Sequence, residues 1–238
     1  MTFWIGAPEW ISGRACGESW ARGARDPKTP PPTSVGAGSG RVRTVAKTIL
    51  ERAKELPEGT TLSAKGLLHL GSRAAVDQSL SRLVKRGQLL RVGRGIYVRP
   101  VQTRFGVRPP LVTAVVESVA GLKGETLVPH GAAAANTLGL TTQVPVRTVY
   151  LTSGRSRQLS LGAQSIELRR APSWQLVLPR ARAGQAIRAI AWFGRERAGE
   201  AVQSLRGKLT SAELRELEAV QGRLPTWVAT QVSALAHG

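Results

Sequence analysis

Sixty residues, 41–100, hold three segments of helical apolar spacing followed by a glycine-turned hairpin, and that order leaves few folds open. In RVRTVAKTILERAKELPEGT the apolar positions Val42, Val45, Ile49, Ala53 and Leu56 recur at three- and four-residue steps, the spacing of one buried helix face, and Pro57 and Gly59 stop it. Thr60-Thr61-Leu62 is β-prone but short, and Ser63 is placed to cap a second short helix running to about His69. Gly71-Ser72 then turns and caps the third helix. In SRAAVDQSLSRLVKRG, at about 100° per residue, Val76, Leu80, Leu83 and Val84 gather on one side with Ser79 between them. Ala74, Gln78, Ser81, Arg82 and Lys85 fall on the other side, a face of small residues, an amide and two cations with no acid. Gly87 ends this helix as a C′ residue. QLLRVGRGIYVRP alternates roughly through Leu89 to Val92, turns at Gly93-Arg94-Gly95 and returns through Ile96 to Val98, a hairpin with a basic tip. Three helices and a basic hairpin in this order read as a winged helix-turn-helix, whose third helix enters the major groove while the wing touches an adjacent groove or phosphates.

Charge points the same way. The chain has 34 Lys plus Arg against 15 Asp plus Glu, a formal net charge of +19, which calls for a polyanionic partner. Residues 41–100 hold 13 basic and 4 acidic residues, residues 101–238 hold 17 and 8, and residues 1–40 hold 4 and 3, so the middle block is the densest. Base edges in the major groove are read by Arg on guanine and Gln on adenine, whereas phosphates need cations and N–H donors. Gln78, Arg82 and Arg73 are therefore the candidates for base contacts, and Lys85, Arg86, Arg91 and Arg94 those for the backbone. Ser72 is placed to hold a phosphate through its hydroxyl and the helix N-terminal amides. A basic face is also found on solvated surfaces and a winged helix also serves as a protein-binding module, so fold alone does not fix function.

The first forty residues lack helical or alternating periodicity and run into KTPPPTSVGAGSG, a Pro- then Gly/Ser-rich stretch that reads as a disordered tail or a mis-set start. The single cysteine, Cys16, excludes an intramolecular disulfide, and three scattered histidines do not make a metal site. No apolar run approaches the roughly 18–20 residues of a membrane span, and no secretory leader is legible, so a cytoplasmic protein without membrane or cofactor is expected.

Residues 101–238 read as mixed α and β with a helical tail. Helices are expected over 111–122, 130–138, 185–193, 200–205, 211–220 and 226–235, and strands over 144–151, 158–161 and 165–168. Thr210 or Ser211 ahead of Glu213 is a capping signal. Gly154-Arg155-Ser156-Arg157 reads as a basic turn, and Arg147, Arg155, Arg157, Arg169 and Arg170 as either solvated surface or a second phosphate-contacting patch on one region of a sheet. Trp174, Trp192 and Trp227 are expected as core anchors.

The strings LGSRAAVDQSLSRLVKRGQLLRVGRGIYVRP and HGAAAANTLGLTTQVPVRTVYLTSGRSRQLSLGAQSIELRRAP together resemble the AbiEi-type antitoxins of type IV toxin-antitoxin systems, over about residues 41–175. The resemblance lies in LGSR before the third helix, VDQxLSRLxxxG within it, RGxY in the hairpin, and LGLTTQ and YLTSG downstream. It implies an N-terminal winged helix, residues 41–100, and an AbiEi-like α+β antitoxin domain, residues 101–238. It further implies an autorepressor that binds inverted repeats in double-stranded DNA and counteracts a partner nucleotidyltransferase toxin without forming a stable complex, in phage defence or mobile-element maintenance. Ser72, Arg73, Gln78, Ser81 and Arg82 map onto the recognition helix of such proteins, and Arg94, Gly95 and Tyr97 onto the wing. The resemblance carries over no catalytic residue. The residues agree: no GxSxG elbow, Walker A or dinucleotide loop is present, and the acids beyond residue 100 are all Glu and scattered, so enzymatic activity is not expected.

Overall fold

The computed structural model describes residues 37–237. The tail expected over residues 1–40 therefore lies outside the described residues up to residue 36. Its last four residues are helical, because α1 spans Ala37–Glu55 and begins ahead of the expected start at 41. A helix nucleated further along extends backwards through Gly38 and Gly40 at a cost of about 1 kcal/mol each relative to Ala, which weakens the first turn without ending it.

Beyond α1 come β1 (Thr61–Ser63), a 3-10 turn over Lys65–Leu70, α2 (Arg73–Lys85), β2 (Leu90–Gly93) and β3 (Ile96–Val98). The strands form an antiparallel sheet in the order β1-β3-β2. The second helix expected here is 3-10 rather than α. Six residues between Ala64 and the extended Gly71 leave no room for two α turns, and the Ser63 hydroxyl closes the segment by accepting the Gly66 N–H at 2.9 Å. Val45, Ile49 and Ala53 of α1 pack against Val76, Leu80 and Leu83 of α2, with Leu62, Leu67, Leu89 and Tyr97 completing this core. Each large side chain so buried contributes roughly 1.5–3 kcal/mol before chain entropy is counted.

The hairpin of β2 and β3 is apolar on both faces, and its second face explains how the rest of the chain attaches. Val92, Ile96 and Val98 pack with Val115, Val116 and Val119 of α3 (Val112–Lys123) and with Leu159, Leu161, Ile166 and Leu168. Those last four belong to β8 (Arg157–Leu161) and β9 (Gln164–Arg170), in a sheet completed by β6 (Leu127–Pro129) and β7 (Thr148–Thr152) in the order β6-β7-β9-β8. Within it β7 and β9 are parallel and the other pairs antiparallel. Ser118 of α3 reaches back to β1, its hydroxyl taking the Thr61 N–H and meeting the Thr61 hydroxyl, both at 2.8 Å. One core thus straddles residue 100.

A short hairpin of β4 (Val101–Thr103) and β5 (Gly106–Arg108) lies between β3 and α3; its three-residue strands are too brief for alternation to register. The third core is helical. It joins α4 (Gly131–Thr137), α5 (Arg182–Leu205), α6 (Ser211–Val220) and α7 (Thr226–Ala236) through Ile187, Ile190, Val202, Leu205, Leu217, Val228 and Val232. The two helices expected over 185–193 and 200–205 are the two arms of α5, separated at Gly194, whose φ of 78° and ψ of 174° interrupt the ladder. Thr210 and Glu213 form a reciprocal capping box. Trp174 and Trp227 pack on the helical core, whereas Trp192 is partly exposed and meets Phe193 edge-on at 5.1 Å. The architecture is α+β with a helical tail.

Candidate nucleic-acid interface

Burial on α2 follows the periodicity of its sequence. Val76, Ser79, Leu80 and Leu83 are buried, and Ala74, Gln78, Ser81, Lys85 and Arg86 are exposed, with Arg82 at intermediate exposure. Ser72 is the N-cap, its hydroxyl oxygen accepting the Ala75 N–H at 3.3 Å, so that oxygen is engaged by the helix while the O–H remains able to donate. Gly87, at φ 69°, then turns the chain, and the Gln88 N–H returns to the Leu83 carbonyl at 2.9 Å before β2 begins.

The outer face is not wholly free of acid. Asp77 is exposed on α2 and pairs with Arg73 across one turn at 2.8 Å, which neutralises the cation nearest the helix start. Arg73 is thereby less suited to a base edge than Arg82 or Gln78. Sequence spacing placed Arg73 by its proximity to the cap and overlooked its i,i+4 neighbour.

The hairpin brings two more cations. Arg94 sits at the tip beside Gly95, whose φ of 69° makes the tight reversal, and Arg91 stands opposite Tyr97 on the neighbouring strand. The Gly95 carbonyl accepts the Ala64 N–H at 2.9 Å, which fixes the tip against the segment that leads into the 3-10 turn. Among the described residues, the side chains of Gln78, Ser81, Arg82, Lys85, Arg86, Arg91 and Arg94 make no hydrogen bond, ion pair or ring contact. The sequence from 78 to 116 contains eight Arg or Lys and no Asp or Glu. The stretch is free of acid in sequence but not wholly in space, since Arg108 pairs with Glu58 at 2.9 Å.

The five arginines proposed as a second patch separate into two groups. Arg157 is structural: its guanidinium grips both carboxylate oxygens of Glu125, at 3.0 and 2.7 Å, with the two side chains only 21% and 16% exposed. Burial alone pushes the Glu125 carboxyl up, but the Arg157 hydrogen bonds and charge, together with the Thr152 hydroxyl, outweigh it and hold the group below its ordinary value. A methyl group on Gly154 would collide with that carboxylate, so the Gly154-to-Arg157 turn is shaped around Glu125 rather than toward a ligand. Arg169 is bound by Glu167, at 2.8 and 3.1 Å, and stands on the opposite face of the sheet from Leu168 and its register partner Arg157. The five arginines therefore do not form one uninterrupted free patch, since Arg157 and Arg169 are engaged by carboxylates. The side chains of Arg155 and Arg170 keep no partner among the described residues, whereas the Arg147 charge acts on Glu167, and Arg147 lines an open cleft with Pro129, His130 and Tyr150.

Two further polar groups are shielded from solvent: His130, whose place after Pro129 at a helix start already reads as a structural cap, is half-buried, and Arg188, which the sequence does not single out, is fully buried. His130 is the N-cap of α4, its Nδ1 accepting the Ala132 N–H at 3.2 Å, and burial followed by the Arg169 charge pushes its pKa down. Arg188 of α5 is 1% exposed, donates only to the Gln175 and Val177 carbonyls at 3.4 Å, and is pushed down to about 10 by burial. An i,i+4 pattern in a helix does not distinguish a buried arginine from an exposed one. Among the described residues no three His, Cys, Asp or Glu side chains converge, and no helix is long and apolar enough to cross a membrane.

A family model described as a family of unknown function, DUF6088, matches residues 48–215. No curated protein matches. Among solved structures the chain is similar to the crystal structure of the RV2827C protein from Mycobacterium tuberculosis, at 15% identity and a TM-score of 0.44, over 81% of this chain and 76% of that one.

Proposed function

We propose that this chain, which belongs to the DUF6088 family, is a sequence-specific repressor that binds double-stranded DNA through a winged helix formed by residues 37–98. The observation that carries this reading is the row of unpaired polar and cationic side chains along α2 and the β2–β3 hairpin, from Gln78 to Arg94, within an acid-free stretch. Gln78, Ser81 and Arg82 face base edges in the major groove, while Lys85, Arg86, Arg91 and Arg94 neutralise phosphates and set the register. Because β2 and β3 pack on α3, β8 and β9, the wing is held by the C-terminal half and binds as a stiff element.

The antitoxin role is the second part of the proposal and rests on the AbiEi-like strings around LGSR, VDQSLSRL and LGLTTQ. On this reading the protein represses its own operon at inverted repeats and counteracts a nucleotidyltransferase toxin without a stable complex. Selection of duplexes from a random library by the full-length chain tests the first part: an enriched inverted-repeat motif is expected, and no enrichment overturns it. Co-expression with a nucleotidyltransferase encoded beside its gene tests the second, with restored growth expected. Failure of a folded protein to rescue leaves a regulator alone.

A further inference from the structure

We propose that the β4–β5 hairpin is a second DNA-contacting element, and that Phe105 at its tip wedges against a base step in the minor groove flanking the site read by α2. This inference rests on the DNA-binding reading above.

Phe105 is 86% exposed, an unusual position for a phenyl ring on a surface otherwise dominated by cations. It is also held in place. The Thr103 hydroxyl accepts the Phe105 N–H at 3.2 Å and donates to the Gly106 carbonyl at 2.8 Å, and Gly106, at φ 116°, allows the reversal. The Arg104 guanidinium lies 4.6 Å from the ring centroid, so the tip presents an aromatic face and a positive charge together. At its base the hairpin is tied to the loop after α1. Arg108 grips both oxygens of Glu58 at 2.9 and 3.3 Å, and the same carboxylate accepts the Leu111 N–H at 3.1 Å. The cost of ordering this tip is therefore met within the fold, which is what a preformed contact element requires.

Charge selects the occupant. Arg104 and Phe105 lie inside the same stretch, 78–116, that contains the helix and wing cations and no acid, and the Glu58 carboxylate at the hairpin base is already engaged by Arg108, so a nucleic acid is favoured over an uncharged partner. Only Arg99 and Pro100 separate β3 from β4, and seven residues from Val98 to Phe105 keep the tip within about 25 Å of the wing strand, little more than one duplex diameter. Apolar wedges flanked by Arg are the chemistry by which proteins unstack a step and bend DNA from the minor groove.

The test uses the full-length protein and the duplex it selects from a random library, with affinity measured by gel shift and bending by end-to-end energy transfer. Phe105→Ala is expected to weaken binding roughly 5- to 150-fold and to abolish the bend, as loss of one aromatic–base contact does, while Phe105→Leu retains the bend. Arg82→Ala is the control, expected to relax sequence preference while leaving the bend in place. Unchanged affinity and bend in Phe105→Ala, with Arg82→Ala impaired, overturns the wedge and leaves the helix reading intact. Failure to select any duplex overturns both. A change of oligomeric state in Phe105→Ala by light scattering, without any effect on DNA, assigns the tip to self-association and also overturns the proposal. The ring's exposure keeps its removal from threatening the fold, and thermal melting verifies that.

Discussion

Replacing Arg157 with Gln distinguishes a structural arginine from a phosphate contact, because the two roles move different observables. In the native protein the Arg157 guanidinium makes two charge-assisted hydrogen bonds to Glu125, and both side chains are more than three-quarters buried. Breaking a buried pair from one side costs about 3–5 kcal/mol, because the remaining charge is left without its partner. Residual solvent access and the Thr152 hydroxyl, 3.2 Å from Glu125, reduce this, and about 2–4 kcal/mol is expected at pH 7. For a folded unit of this size that corresponds to a fall in melting temperature of roughly 5–15 °C. The sign of the pH dependence follows from Glu125. Its folded pKa lies below the unfolded value near 4.5, so the pair's contribution is present above that pH and is lost as the pH falls through the folded value. In Arg157→Gln the buried carboxyl rises instead and takes up a proton, so the deficit relative to the native chain shrinks between pH 7 and pH 4. Urea titrations at both pH values measure it. A variant of native stability with weakened duplex binding would refute the assignment and return Arg157 to the DNA-contacting set.

Three further outcomes follow from the packing. His130, whose pKa is depressed by burial and Arg169, must be neutral to cap α4, so its contribution is full above about pH 6.5 and is lost as the pH falls toward the folded value; His130→Asn, which keeps a cap acceptor, should flatten the stability profile between pH 5 and 7 in thermal melts. Arg188→Met removes a buried charge with poor partners and should leave stability unchanged or raise it by about 1–3 kcal/mol; a loss of more than about 1 kcal/mol by urea titration would show that the guanidinium holds the 175–177 segment. Leu159→Ala should cost about 2–5 kcal/mol and keep one cooperative transition monitored by both helix and tryptophan signals, because its side chain lies in the core shared by the hairpin and the C-terminal sheet; two separated transitions would mean independent domains.

What the sequence made legible was whatever depends on near neighbours. The caps at Ser72 and Thr210, the α2 core face of Val76, Leu80 and Leu83, and the Arg94-Gly95 reversal are all written within a few residues of themselves. What it concealed depends on distant partners. Glu125 and Arg157 are 32 residues apart, and only the topology of β6 to β9 brings them together, so from the sequence the arginine-rich glycine turn read equally as solvated surface or phosphate contact. Arg169 is different: its partner Glu167 stands two residues away on the same face of one strand, so that pairing was written locally. The pairing of Asp77 with Arg73 at i,i+4 was also written locally. The second face of the β2–β3 hairpin was also hidden: continuous burial of Ile96, Tyr97 and Val98 suits a strand covered on both sides, but three residues are too few to say by what.

The central claim is that α2 reads bases while the hairpin tip grips backbone. It is tested most directly by gel-shift titration, at one fixed salt concentration, of the full-length chain, Arg82→Ala and Arg94→Ala against the selected duplex and a scrambled one. Arg82→Ala is predicted to lose about 1–3 kcal/mol on the selected duplex and little on the scrambled one, and Arg94→Ala to weaken both by a similar factor. Native affinity of both variants for both duplexes would contradict it.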